Sequence, residues 1–141
     1  NPIIQGRMND PRDSNYVNNY TRNIVVFGNT AYITNWNSKL LGIIDVTDKN
    51  NPIEKTNYKG IIENAIPTSM ALEGDALYIS YLTDPVGLFT SLAVFNIQEP
   101  AKPKLRIELN ENTFRITDIE VNDNFLFLAL DTGDVLIMKK P

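Results

Sequence analysis

A phrase recurs along this chain. Tyr32-Ile33-Thr34-Asn35 is followed by Gly42-Ile43-Ile44-Asp45-Val46-Thr47 and then Asn51-Pro52. It returns in degraded form as Tyr78-Ile79-Ser80-Tyr81, Ala93-Val94-Phe95-Asn96-Ile97 and Lys102-Pro103. A shorter echo is Phe127-Leu128-Ala129-Leu130 with Val135-Leu136-Ile137-Met138. Gly28 and Gly74 lie 46 residues apart, Tyr78 and Phe127 lie 49 apart, and Pro52 and Pro103 lie 51 apart. Self-similarity at a period of roughly 40–50 residues fits the four-stranded blade of a β-propeller and is too long for a leucine-rich or ankyrin unit.

Within each unit, short runs of Val, Ile, Tyr, Phe and Thr are broken by Gly, Asn, Asp and Pro, which is strand and turn chemistry. Strands are expected at Arg22–Phe27, Ala31–Asn35, Leu40–Val46 and Ile53–Tyr58 in the first unit. The second unit predicts Ser69–Glu73, Ala76–Leu82, Ser91–Ile97 and Lys104–Glu108, and the third Asp118–Asn122, Phe125–Leu130 and Asp134–Met138. Gly28-Asn29 and Gly74-Asp75 reach positive φ at little cost and suit tight hairpins. Asp123-Asn124 fills the same slot and tolerates that geometry less well. Pro52 and Pro103 lack an amide donor and belong at the start of outer strands. The apolar runs Ile24-Val25-Val26-Phe27 and Phe125-Leu126-Phe127-Leu128 predict inner strands covered on both faces.

The fold class that follows is all-β, a β-propeller of about three four-stranded blades: blade one over 22–58, blade two over 69–108 and an incomplete blade three over 118–141, all within one propeller segment, 1–141. Asn1-Pro2-Ile3-Ile4 matches Asn51-Pro52-Ile53-Glu54, so residues 1–8 are expected as the outer strand of an incomplete or ring-closing blade. Closed propellers carry typically about four to eight blades, and three units do not close a ring. Either the chain is part of a larger ring, or two copies build a six-bladed one. An uncovered blade leaves an apolar face and free edges, so further blades or a second copy of the chain are expected as partners.

Composition narrows the functions. The chain is 43% hydrophobic, enough to build a core, with a net charge of −4. Lysines and arginines are scattered, which disfavours nucleic-acid binding through phosphates. No apolar run reaches the ~18 residues of a membrane span. Cysteine and histidine are both absent. That removes disulfides, thiolate nucleophiles, the default general base and the commonest metal ligand. No catalytic residue, metal site or cofactor is singled out.

The pattern Gly28-Asn29-Thr30-Ala31-Tyr32-Ile33, then Gly42-Ile43-Ile44-Asp45-Val46-Thr47, then Asn51-Pro52, resembles the LVIVD repeat; Tyr32-Ile33-Thr34-Asn35 alone is also similar to the YVTN propeller repeat. In units two and three the motif has drifted. The resemblance implies a β-propeller, usually in exported or cell-surface prokaryotic proteins, and brings no shared catalytic motif.

In a propeller, ligands usually bind where loops from several blades converge. The loops at that end are expected at Trp36–Lys39, Thr83–Thr90 and Asp131–Gly133, with blade-to-blade loops at Asn9–Thr21, Lys59–Thr68 and Asn110–Ile116. The candidate ligand- or partner-binding residues are Asn35, Trp36, Asn37, Asp84, Leu88 and Phe89. Trp36, the only tryptophan, could stack on a sugar or anchor a protein, or fold over its own blade. Leu88 and Phe89, with Val86, could line a binding face or pack on the next blade. Asp131 and Asp134 offer two carboxylates to a hard cation, but a hairpin turn explains them without metal. Asn19-Tyr20-Thr21 forms a glycosylation sequon.

Two functions from different classes follow. One is a non-catalytic scaffold presenting a loop-built face to a protein or glycan. The other is part of a propeller hydrolase or lactonase whose site lies partly in other blades, with the channel-facing strands here offering mainly Asn23, Thr68, Ser69 and Asp118. A structural role in a surface layer is a third.

Overall fold

The computed structural model of the chain describes residues 21–35, 40–58, 65–83, 90–111 and 115–140. They form three antiparallel sheets in sequence order, with no helix among them. The first sheet is β1 (Thr21–Phe27), β2 (Thr30–Asn35), β3 (Leu40–Asp45) and β4 (Ile53–Tyr58). The second is β5 (Ile66–Glu73), β6 (Ala76–Leu82), β7 (Thr90–Asn96) and β8 (Lys104–Glu111). The third is β9 (Ile116–Asn122), β10 (Phe125–Leu130) and β11 (Val135–Lys139). Strands run through each sheet in chain order, and β5 lies against both β1 and β9. The architecture is all-β, a partial β-propeller.

Turn chemistry explains the meanders. Phe27 pairs with Thr30 across Gly28-Asn29, Glu73 with Ala76 across Gly74-Asp75, and Asn122 with Phe125 across Asp123-Asn124. The first turn residue has positive φ each time: 56° at Gly28, 55° at Gly74 and 34° at Asp123. The carbonyl of the second turn residue then accepts an amide from just beyond the third strand. The bonds are Val46 N to Asn29 O at 2.8 Å, Ile97 N to Asp75 O at 2.9 Å and Lys140 N to Asn124 O at 2.9 Å. One covalent pattern thus gives one hydrogen-bond pattern three times.

The outer turns repeat as well. Asp45 Oδ1 accepts the Thr47 amide at 2.8 Å, and Asn96 Oδ1 accepts the Gln98 amide at 2.8 Å. These side chains mimic a backbone turn. Pro52 and Pro103 sit just before β4 and β8, where no ladder donor is needed.

Two apolar layers hold the sheets together. Tyr32, Leu41 and Ile43 of the first sheet pack on Met70, Leu77, Ile79 and Phe95 of the second. Tyr78, Leu92 and Val94, on the opposite face of the second sheet, pack on Ile119, Leu126 and Leu128 of the third. Side chains alternate across a strand, so β6 feeds both layers and is buried throughout.

Among the described residues, burial on both faces is complete along β6, whereas the outward face of the first sheet is mixed, with Ala31 and Ile44 buried and β1 open. The expectation that Ile24–Phe27 and Phe125–Leu128 are covered on both sides is overturned: Ile24 is 63% and Val26 53% exposed, and Phe125 is 45% exposed while Leu126 is fully buried. Continuous apolar runs mark strands able to be sandwiched, and the outer faces of the end sheets leave these residues partly open. Six expected strand starts also shift, those of β1, β2, β7 and β11 by a single residue. β5 begins at Ile66 and β9 at Ile116, two or three residues earlier than the sequence suggests, and β7 at Thr90. Pro67 does not stop β5, because that strand is the inner edge of its sheet and needs no donor on its open side. The third sheet has three described strands.

Candidate functional site

The inner strands share a kink. Each carries one extra residue relative to its neighbour: Arg22 in β1, Thr68 in β5 and Thr117 in β9. These are β-bulges, which bend a strand and re-aim the next side chain. The next residues are Asn23, Ser69 and Asp118, each five positions before its turn residue Gly28, Gly74 or Asp123.

The bulges bring Asn23, Thr68, Ser69 and Asp118 into contact across the sheets. Asn23 Nδ2 donates to Thr68 O at 2.8 Å, from the first sheet to the second. Ser69 Oγ donates to Asp118 Oδ1 at 2.7 Å, from the second to the third, and accepts the Ile119 amide at 3.2 Å. The Thr68 and Ser80 hydroxyls bond at 2.7 Å, and Ser80 Oγ also accepts the Ser69 amide at 3.1 Å. Thr90 Oγ1 accepts the Ile116 amide at 3.2 Å and so ties β7 to the third sheet. These polar atoms satisfy one another. They act as ties between sheets.

The first sheet lacks one tie. Thr34 stands where Ser80 stands in the second sheet, opposite Asn23 as Ser80 is opposite Ser69. Its hydroxyl is buried without a partner. The bulge residue here is Arg22, so there is no counterpart of the Thr68 hydroxyl to meet it.

The strand ends bearing segments 36–39 and 84–89 gather at one end with the β10–β11 turn. Asn35 lies there, closing β2 and paired with Thr21 and Leu40. Trp36, Asn37, Asp84, Leu88 and Phe89 lie outside the described residues, as do residues 1–8 with their expected strand and the sequon residues Asn19 and Tyr20. The β10–β11 turn is described in full. Gly133 has φ of 90°, its amide meets Leu130 O at 3.1 Å, and Thr132 Oγ1 donates to Asp134 Oδ2 at 2.9 Å. Asp131 Oδ1 accepts the Arg115 amide at 3.2 Å. Both carboxylates serve the turn, and among the described residues no group of three His, Cys, Asp or Glu could hold a metal ion.

The opposite end carries charges and a shallow cavity of about 270 Å³ lined by Asn96, Gln98, Glu99, Lys102, Lys104 and Arg106. Lys104 pairs with Glu99 at 3.1 Å and Arg106 with Asp75 at 3.2 Å; both are exposed pairs of small energetic worth. Asp45 is held down to about 2 by the Thr47 hydroxyl and amide, then by Lys55 at 3.1 Å. Burial pushes the Tyr32 phenol up to about 12; its hydroxyl donates to Pro100 O at 2.9 Å and ties the first sheet to the second. Burial, then its bond to Glu108, raises Tyr81. Lys140 pairs with Glu73 and clasps the third sheet to the second.

Sequence reasoning named Asn23, Thr68, Ser69 and Asp118 and missed Thr90 and Ser80 as their companions. The available signal was positional: a polar residue five places before each inner-turn residue.

Comparison with known proteins agrees with this geometry. Residues 19–60, the segment containing the first sheet, match the LVIVD repeat. None of the curated proteins matches the chain. Among solved structures it is similar to the crystal structure of the computationally designed Ika4 protein, with a TM-score of 0.58 at 11% identity. The match covers 82% of this chain and 63% of that one, so this chain spans less than two thirds of its length, and the likeness is one of fold. Among the described residues no helix is long and apolar enough to cross a membrane.

Proposed function

We propose, for a chain whose first sheet is an LVIVD repeat, a non-catalytic binding role: a propeller scaffold that presents its loop-bearing end to a protein or glycan. The observation that supports it is the mutual engagement of Asn23, Thr68, Ser69 and Asp118. Each of these bonds joins one sheet to the next, and the chain has neither histidine, the usual general base, nor cysteine. Each of the three sheets is read as one blade. Recognition then falls to the loop end, with Asn35, Trp36 and Asn37 as one contact and Asp84, Leu88 and Phe89 as another. On this reading the protein works outside the cell or at its surface, the setting usual for LVIVD repeats.

The test is binding of the full chain to immobilised panels of oligosaccharides and peptides, before and after Trp36→Ala and after replacement of residues 84–89 by a short Gly-Ser link. A hit weakened at least about tenfold by either change, the equivalent of roughly 1.4 kcal/mol, with the β-sheet circular dichroism intact, is the expected result. Affinity unchanged in both variants sinks this choice of face.

A further inference from the structure

The turns that lead into β4 and β8 are built alike and charged differently. Register equates Asp45 with Asn96 and Ile53 with Lys104, and Lys55 and Arg106 are the surplus residues of matching bulges in the two strands. In the first sheet Lys55 lies 3.1 Å from Asp45, so cation and carboxylate neutralise each other. In the second sheet Asn96 keeps the turn, its Oδ1 accepting the Gln98 amide, but brings no charge. Arg106 reaches instead to Asp75 of the inner turn, at 3.2 Å.

The cavity of about 270 Å³ lies at this second turn, lined by Asn96, Gln98, Glu99, Lys102, Lys104 and Arg106. Its lining carries three cations and one carboxylate. The matching positions of the first sheet, Asp45, Thr47, Asp48, Asn51, Ile53 and Lys55, carry one cation and two carboxylates. The second turn is thus locally positive in a chain of net charge −4. Folding does not demand the change, since Asp45 and Asn96 each accept the same amide at 2.8 Å.

The cations converge, and the backbone under them is fixed. The bond from Lys104, then the charges of Lys104 and Lys102, hold the Glu99 carboxyl below its ordinary range. The Lys102 amide donates to Glu99 O at 2.8 Å, the Tyr32 hydroxyl holds Pro100 O at 2.9 Å, and Pro103 is buried. Ammonium and guanidinium groups on a fixed turn suit an oxyanion, to which both donate charge-assisted hydrogen bonds.

We propose that this cavity binds a tetrahedral oxyanion, the phosphate or sulfate group of a small molecule such as a sugar ester, through Lys102, Lys104 and Arg106. The cations are exposed, so the affinity is modest and falls as salt screens them. The site lies at the end away from the loops, and it fails separately from the binding role proposed there.

Titration of the full chain with inorganic phosphate, a glucose phosphate monoester and a glucose sulfate monoester, each up to about 50 mM, tests it, with glucose as the neutral control. Amide resonance shifts are followed. The expected result is saturable shifts at residues 96–106 with the anions and none with glucose. Tighter binding of an ester than of inorganic phosphate assigns the site to a sugar-borne group, and the reverse order to the free anion. Asn96→Asp copies the first-sheet turn and returns a carboxylate to Arg106. It should weaken binding at least about fivefold, as should Lys102→Ala/Lys104→Ala. Both variants alter exposed or turn positions, so the β-sheet circular dichroism should persist. Lys49→Ala, on the first-sheet turn, should leave the affinity unchanged. Absence of shifts at residues 96–106 with every anion overturns the proposal. So does binding that Asn96→Asp leaves intact, or that Lys49→Ala weakens equally, which would mean a general attraction of anions to surface lysines.

Discussion

Single residues repeat in role more faithfully than in identity. Asp45 and Asn96 build the same turn, one charged and one neutral. Only the charged one makes stability depend on pH. The carboxyl of Asp45 is held at about 2 in the folded chain against an ordinary 3.8. Between those values the unfolded chain binds the extra proton, so this contribution is full above about pH 4 and is lost as pH falls towards 2. Asp45→Asn should keep the turn and remove this component; urea midpoints at pH 5 and pH 2.5 in both proteins measure it. The glycine at 42 has an equally local cause. A Cβ there would lie 2.7 Å from Ile33 Cγ1, so the motif's glycine leaves room for its cross-strand neighbour.

At the level of strands, the inner-strand bulge organises both fold and candidate site. Ser69 depends on it to reach Asp118 and Ile119. Ser69→Ala removes a buried hydroxyl that serves two groups of the next sheet and should cost about 1–3 kcal/mol. Thr117→Ala, at an exposed bulge position where the hydroxyl donates to Ala129 O, should cost less, up to about 1 kcal/mol. Chemical denaturation of the two variants compares them. The strands themselves were readable from sequence because Gly28, Gly74, Pro52 and Pro103 punctuate runs of β-forming residues. The bulges were not, since one surplus residue in a strand leaves no mark on composition. Nor was the exposure of Ile24 and Val26, whose side chains resemble those of the buried middle strands. The polar row was legible as residues but not as ties, because its bonds join strands about 45 to 50 positions apart.

Across the whole molecule, the three sheets differ less in design than in what surrounds them. Among the described residues, the middle sheet packs on another sheet at both flanks, through Leu77, Ile79 and Phe95 on one side and Tyr78, Leu92 and Val94 on the other. It is thus a tile whose front matches its own back. A synthetic gene stringing together about six copies of residues 65–111 with their connecting segment should yield a seamless, rotationally symmetric disc. Its melting temperature should exceed that of the parent chain, and scanning calorimetry of the two would register the difference.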